Sequence, residues 1–383
     1  MAGAACGIVV LGNLPADTTK VVHPRLLAPD SVRAVMQSLG GRELDSGIAV
    51  CPPCEITAWR VGRLTGGRNG IEDHQGTAAI GADGRLYFAT MLFNRPLYAG
   101  DLSTDRVVPL MGVGSGPGEV RYVSRVQRGT GDSLLVHDRS LNRMSLLSPD
   151  GGFVRSIPFL PGADDFVPLG NGSFFVAARI STRESSGYPL HLVGADGQLV
   201  KSFGVRDGEI RLINRQDELR LYRWIAPASD GSIIAVRPGG YVLERWAPDG
   251  RLLMERDVAP EWFTPKYERW RERPLDDPPP PYVADLQEGP DGRIWVLVRR
   301  AGEQWREGIR PPRKPPVKYE VISEVTFRDT QIEVFDPETF TRVASYRMDE
   351  ILGTFVAPGV AVAENTVVND EPIIELWRMR VLR

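Results

Sequence analysis

The sequence predicts an all-β fold built from one repeated unit, and three observations predict it. First, a turn pair followed by an apolar run recurs: Asp83-Gly84 before Leu86-Tyr87-Phe88, Gly131-Asp132 before Leu134-Leu135-Val136, Asn171-Gly172 before Phe174-Phe175-Val176, Asp230-Gly231 before Ile233-Ile234-Ala235, and Asp291-Gly292 before Ile294-Trp295-Val296. Asp bonds its own following backbone and Gly reaches positive φ without a Cβ clash, so each pair makes a tight turn. The runs are rich in β-branched and aromatic residues and read as buried strands. Second, each run is followed by another turn of the same kind: Asp101 to Asp105, Ser148-Pro149-Asp150-Gly151, Ala195-Asp196-Gly197, Pro248-Asp249-Gly250 and Asp336-Pro337-Glu338-Thr339. The unit is therefore strand, turn, strand, loop, strand, turn, strand. Third, 40 Gly and 31 Pro among 383 residues suit a chain of many strands and turns.

Composition narrows the class. With 42% hydrophobic and 25% charged residues the chain is an ordinary globular one. The 46 basic residues against 49 acidic ones exclude a general nucleic-acid binder, which needs a basic excess. No run reaches the ~18 apolar residues of a membrane-spanning helix.

Residues 1–47 read as an extension ahead of the repeats. Cys6, in Ala4-Ala5-Cys6-Gly7, resembles a lipoprotein cleavage box, although Gly3 stands where an aliphatic residue is expected. The two readings are a lipidated Cys6 on an exported chain and a frayed apolar start. Asp30 as N-cap, Val32, Val35, Met36 and Leu39 at helical spacing, and Gly40-Gly41 as terminator predict one short amphipathic helix that packs on the rest. Cys51-Pro52-Pro53-Cys54 follows. A redox CxxC wants a helix after it, a zinc site wants two more ligands, and a c-type haem wants His where Glu55 stands. A local disulfide between Cys51 and Cys54, or two idle thiols, is expected.

A strand is expected near residues 55–62, and the repeat governs from residue 77. First turns near 83, 132, 171, 230 and 291 mark five units, and residues 351–383 hold a sixth that is one strand short. Its last strand runs from Pro372 to Val381. An open ring of sheets leaves unpaired edges, so the strand near 55–62 is expected to complete the sixth unit. The result is a six-bladed β-propeller of four-stranded antiparallel blades over residues 48–383. At about 56 residues per blade it exceeds the ~40–45 of compact blades. The surplus lies in two insertions around blade five, residues 258–282 and 300–329.

The stretch from Leu134 through His137-Asp138-Arg139 to Pro149-Asp150-Gly151 resembles a blade of the NHL/TolB-like six-bladed propellers. The loop from Gly112 to Gly116-Pro117-Gly118-Glu119 is similar to the Gly-Pro-Gly-Glu segment of a bacterial propeller group that is often exported or lipid-anchored. The resemblance implies the architecture and an exported or membrane-surface setting. It implies no activity, because propellers host unrelated functions.

In such a blade the two Asp-Gly turns lie on one face of the disc. Blade links and the loops between second and third strands lie on the other. Both insertions are therefore expected on one face, and the loop from Gly114 to Glu119 reads as a flexible blade link. The first insertion carries Trp262, Phe263, Tyr267, Trp270 and Arg271, with Thr264 and Pro265 starting a short helix and Pro278 to Pro281 a stiff strut. The second carries Trp305, Arg310, Arg313 and Lys314. From Arg299 to Lys318 it holds seven basic and two acidic residues, a local charge of +5. Trp, Tyr and Arg dominate protein interfaces. The same rings also serve to pack insertions onto a disc, and both readings stay open. The basic excess suits anionic lipid head groups or an acidic protein surface.

Catalytic signals are weak. His23, His74, His137 and His191 stand in no metal-binding spacing, and no Gly-x-Ser-x-Gly elbow or phosphate cradle is present. The carboxylate pairs Asp164-Asp165 and Asp276-Asp277 read as turn or loop residues. The expectation is a monomeric, non-catalytic binding or scaffolding subunit with no metal and no cofactor, exported and held at a membrane surface. Its expected partner is a membrane-bound protein complex, for instance an electron-transfer or transport assembly. The alternatives are a Ca²⁺-dependent hydrolase or lactonase with its site in the central channel, and a sugar or peptide sensor. Channel sites take single residues from different blades, which the sequence is not expected to align.

Overall fold

A computed structural model describes residues 54–66, 69, 71, 75–90, 92–180, 187–204, 221–264, 277–313, 319–368 and 371–382. Cys6, Cys51, the helix expected at 30–39, Tyr267, Trp270, Arg271 and Lys314 lie outside them.

The described chain opens with β1 (Glu55–Thr65). Blade one is β2 (Gln75–Ile80), β3 (Leu86–Thr90), β4 (Leu97–Asp101) and β5 (Arg106–Val113), with β6 (Glu119–Val120) returning parallel to the end of β5. Blade two is β7 (Val123–Arg128), β8 (Leu134–Asp138), β9 (Arg143–Leu147) and β10 (Phe153–Pro158). Blade three is β11 (Ala163–Pro168), β12 (Phe174–Ala178), β13 (Leu190–Val193) and β14 (Leu199–Phe203). Blade four is β15 (Trp224–Pro227), β16 (Ile233–Arg237), β17 (Val242–Trp246) and β18 (Leu252–Asp257).

Blade five is β19 (Tyr282–Glu288) and β20 (Ile294–Ala301), then the insertion strands β21 (Ile309–Arg310) and β22 (Glu320–Val321) with the single-turn α1 (Glu324–Phe327), then β23 (Arg328–Phe335) and β24 (Arg342–Met348). Blade six is β25 (Leu352–Ala357), β26 (Val360–Val368) and β27 (Glu371–Leu382), completed by β1 on its outer edge in the order β1-β27-β26-β25. The expected six blades and the closing N-terminal strand are both present.

The turns work as the residues dictate. The carboxylate or amide oxygen of Asp83, Asn171, Asp230 and Asp291 accepts the backbone N–H two residues on, at 3.0, 3.1, 2.9 and 3.3 Å. The glycine that follows takes positive φ, as in Gly292 at 74°. Gly289, three residues earlier, is required for space, since a Cβ there would meet Trp295 Nε1 at 2.2 Å.

The core lies between blades. Strand faces of neighbouring sheets interdigitate, as where Trp295 and Leu297 of blade five pack with Leu352 and Ala361 of blade six. The loop before β6 departs from the expected flexible link. Glu119 folds back so that its carboxylate accepts Gly116 N–H at 2.6 Å, and the Arg143 guanidinium donates to Ser115 O at 3.0 Å. The loop is closed by its own glutamate and pinned by the next blade.

His137 and His191 are packed strand residues. His137 Nδ1 meets Ser124 Oγ at 2.8 Å and its ring lies edge-on to Phe159. His191 Nδ1 meets Ser202 Oγ at 2.9 Å. Burial, with Arg139 nearby, pulls His137 down to about 3, and burial pulls His191 down to about 4. Both folded values lie below the ordinary 6.5, so the unfolded chain binds more protons below pH 6.5. Their contribution is complete above that pH and is lost on acidification. Urea unfolding of a His137→Gln/His191→Gln protein should lose less stability between pH 7.5 and pH 5 than the parent, by about 1.4 kcal/mol per pH unit for each ring.

Candidate functional site: the channel hub and the insertion face

The inner strands set the site. The ladders of β2, β7, β11, β19 and β25 each shift register by one residue before Thr77, Arg125, Asp165, Asp285 and Thr354 respectively. A bulge bends the strand and re-aims the next side chain. These five, with Trp224 of the regular β15, form one ring around the axis with one member per blade. Asp164 is the bulge residue of β11, so Asp164 and Asp165 are buried inner-strand residues rather than the expected turn or loop pair. The turn expectation failed because a bulge of two acidic residues breaks strand alternation and imitates a loop.

The ring ties the blades together in a regular way. Thr77 Oγ1 accepts Val126 N–H at 3.1 Å, Asp165 Oδ2 accepts Ile225 N–H at 3.0 Å, and Asp285 Oδ2 accepts Phe355 N–H at 2.8 Å. Side chains of blades one, three and five thus satisfy inner-strand amides of blades two, four and six. Buried backbone groups need such partners, and an inner strand has no strand neighbour on its axial side.

Arg125 of blade two crosses the axis. Its Nε lies 3.0 Å from Asp165 Oδ1, off the N–H direction and so an ion pair more than an aligned hydrogen bond. Its Nη2 lies 3.5 Å from Asp285 Oδ1, and its Nη1 lies 3.5 Å from Thr354 Oγ1. The guanidinium also sits 5.8 Å from the Trp224 ring centre, whose Nε1 donates to Val283 O at 3.1 Å. Burial works against the Arg125 charge, but the Asp165 and Asp285 carboxylates outweigh it and hold the guanidinium above its ordinary value. Burial pushes Asp165 up to about 6, with Asp285 adding to the rise and Arg125 opposing it.

A second cluster sits beside this ring on the link face. Asp164 takes a two-pronged bond from Arg179, at 2.8 and 2.9 Å, and a third from Arg139 at 3.1 Å. Arg179 stacks on Tyr222, whose phenol is raised by burial and then by Asp164 and Asp165.

The central carboxylates do not fit a calcium ion. Asp165 Oδ1 already accepts Phe166 N–H at 2.9 Å, Asp285 Oδ1 accepts Leu286 N–H at 3.0 Å, and Asp285 Oδ2 also accepts the Thr354 hydroxyl at 2.7 Å. Every oxygen of the pair faces a donor, whereas Ca²⁺ asks for six to eight free oxygen ligands. Among the described residues no group of three or more His, Cys, Asp or Glu could hold a metal.

The two insertions meet on the link face, as expected. Arg328 donates to Pro280 O at 3.1 Å and stacks on Tyr282, and the Arg300 guanidinium lies 4.6 Å from the Trp262 ring centre. Trp262 is half-buried against the core shared by blades four and five, and Phe263 is buried there against Tyr241. Trp305 is 5% exposed and forms a small core with Tyr319 and Phe327. The packing alternative describes Phe263 and Trp305. Arg310 and the Arg313 backbone both engage Glu320, at 2.8 and 3.0 Å, and so brace the β21–β22 hairpin. What this face offers outward is Arg306, Arg310 and Arg313 together with Tyr282, Ile322 and Val325, the last three 43, 53 and 46% exposed. Cys54 is buried at the start of β1, where its N–H donates to Val343 O of blade five at 3.1 Å.

The ring residues were missed, yet a signal for them exists. Thr77, Arg125, Asp165, Trp224 and Asp285 each stand seven positions before Gly84, Asp132, Gly172, Gly231 and Gly292, the positive-φ residues of the first turns. The expectation that channel residues resist alignment is corrected on this point.

No protein-family profile matches the chain, and no curated protein matches it. Solved structures do. A member of the DUF4221 family from Bacteroides vulgatus superposes with TM-score 0.55 at 9% identity, over 86% of this chain and 99% of that one. A candidate exported protein from Bacteroides fragilis superposes with TM-score 0.50 at 13% identity, over 86% and 95%. A calcium-binding protein, regucalcin from Agrobacterium tumefaciens, gives TM-score 0.47 at 13% identity over 87% and 97%, and its calcium says nothing of this chain. These likenesses bear on fold alone, and the chain is a six-bladed β-propeller. Among the described residues no helix is long and apolar enough to cross a membrane.

Proposed function

We propose that this protein is a non-catalytic binding propeller, exported and membrane-associated, that docks on a larger membrane complex through its insertion-bearing face. One observation carries the proposal: two insertions, braced on each other through Arg328, Pro280 and Tyr282, hold arginines and aliphatic side chains outward on one face. Interfaces favour Arg and aromatic residues around an apolar centre. The hub supports the same conclusion from the other side, because its ionic groups are consumed in joining blades. The finer kinship with the exported NHL/TolB-like group, the lipidated Cys6 and a contact between the basic insertion and anionic head groups belong to this proposal. The exported neighbour from Bacteroides fragilis is consistent with it.

The test is a mild-detergent pull-down from native membranes. An Arg313→Glu/Ile322→Asp/Val325→Asp protein should melt close to the parent, since all three side chains are exposed, and should lose a membrane complex that the parent retains. Equal capture by both proteins would sink the proposal. Mass spectrometry of the mature N-terminus checks Cys6: a diacylglyceryl mass on that residue is expected, and an unmodified Cys6 removes the anchor.

A further inference from the structure

Arg125, reaching Asp165, Asp285 and Thr354, spans the channel axis. From the level of Arg125 a cavity of about 290 Å³ runs toward the Asp-Gly turns, on the face opposite the insertions. Its lining includes Arg125 and Asp285 at one end and Pro168, Pro227 and Pro358 beside the turns at the other. It takes no residue from the link-side ends of the inner strands, such as Val123, Ala163 or Val283. The Arg125 guanidinium with its two carboxylates therefore closes the floor, and the space is a blind cup.

Its chemistry is specific. The walls are apolar, with Val126, Leu286 and Val356 from three different blades. The rim prolines carry no backbone N–H, so they offer an incoming group no donor. Above the floor, polar side chains break this surface at Gln127 and Arg128 on β7 and at Gln287 on β19, and Arg128 is paired with Asp132 of the adjoining turn. Blades two and five stand opposite each other in a ring of six, so the strands that carry the two amides lie on opposite sides of the axis. Each amide follows its hub residue, Arg125 or Asp285, by two positions and shares its side of the strand. The oxygen of each is buried with no hydrogen-bond partner among the described residues. A buried amide oxygen without a partner costs free energy, and since neither oxygen is open to solvent as it stands, it is rotation about the last side-chain bond that lets each amide turn a donor or an acceptor toward a ligand.

We propose that this cup binds an uncharged, mostly apolar small molecule of about ten non-hydrogen atoms, carrying an amide or a pair of hydroxyls and held between Gln127 and Gln287. The size follows from volume: about 290 Å³ is roughly ten times the 30 Å³ a water occupies in the liquid. A polymer is excluded because nothing can thread past the Arg125 floor. A charged ligand is disfavoured because both cations of the lining are already paired, Arg125 with Asp165 and Asp285 and Arg128 with Asp132. An apolar concavity with a few convergent polar groups is the usual form of a small-molecule site. The assignment is independent of the docking role, which lies on the other face.

Benzamide, with an apolar ring and one amide, is the probe. Saturation-transfer NMR on the intact protein should show it bound, and toluene, which lacks the amide, should bind at least tenfold more weakly. Gln127→Leu should weaken benzamide about tenfold, and Gln127→Trp, which fills the cup, should abolish binding while the protein still melts cooperatively. A second, binding-only readout uses the unmodified protein: benzamide density in a soaked crystal should lie between Gln127 and Gln287. No benzamide signal with the folded parent, unchanged binding to Gln127→Trp, or density elsewhere would each overturn the assignment.

Discussion

An Arg125→Leu protein is expected to be about 3–5 kcal/mol less stable than the parent at pH 7.5, the usual cost of removing one partner from a buried ion pair. The cost is large because, among the described residues, Arg125 is the one cation paired with Asp165 and Asp285. The Arg125 side chain is 12% exposed, and those of Asp165 and Asp285 are 0 and 2%. Leucine fills part of the space but leaves two carboxylates facing each other in the hub. The loss should shrink at pH 5. Asp165 has its folded value raised to about 6, above its ordinary 3.8, mainly by burial. A group raised in this way binds protons more readily in the folded chain, so its contribution is complete below about pH 4 and lost as pH rises through about 6. Removing Arg125 takes away the positive charge that opposes the rise and widens that window upward. Urea unfolding at pH 5 and 7.5 checks both points. An Arg125→Leu/Asp165→Asn protein should recover part of the loss at pH 7.5, and equal destabilisation at the two pH values would refute the account.

A chain that starts at Gly66, without β1, is expected to lose its cooperative melt and to self-associate. The β1 strand forms ten register pairs with β27, from Glu55 opposite Leu382 to Thr65 opposite Ile373. It also places Ile56 and Leu64 in two separate inter-blade cores, at 5 and 0% exposure. Each large aliphatic side chain lost from a core costs about 2–5 kcal/mol. The unpaired edge of β27 would then offer its N–H and C=O groups to other chains. Size-exclusion chromatography and thermal unfolding are the measurements. A synthetic peptide of residues 55–65 added in trans should restore part of the melt by strand addition. A truncated chain that stays monomeric and melts like the parent would show that closure does not depend on this strand.

Parts of this molecule were legible at very different depths. The Asp-Gly turns were plain because their chemistry is local: each oxygen bonds an amide two residues away, whatever surrounds it. The closing strand was legible by counting, since a sixth blade with three strands needs a fourth. The insertion aromatics were legible as residues but not as roles. Trp305 carries the same side chain whether it meets a partner or, as here, Tyr319 and Phe327. Asp164-Asp165 was misjudged because two adjacent carboxylates look solvated until guanidinium groups from another blade, Arg139 and Arg125, are known to meet them. Local sequence carries no record of Arg125, forty residues upstream of Asp165.

By itself the sequence determined the repeat, the blade number, the ring closure and the face on which the insertions emerge. All four follow from turn chemistry and strand counting, which act between near neighbours in the chain. Only the tertiary structure decided that the axis is crossed by Arg125, that Trp305 is core, and that a cavity lined by Gln127 and Gln287 lies beneath Arg125. Those depend on which side chains from separate blades arrive at one point. That is set by bulges that each move a strand by one residue, a displacement too small to leave a pattern in any single repeat.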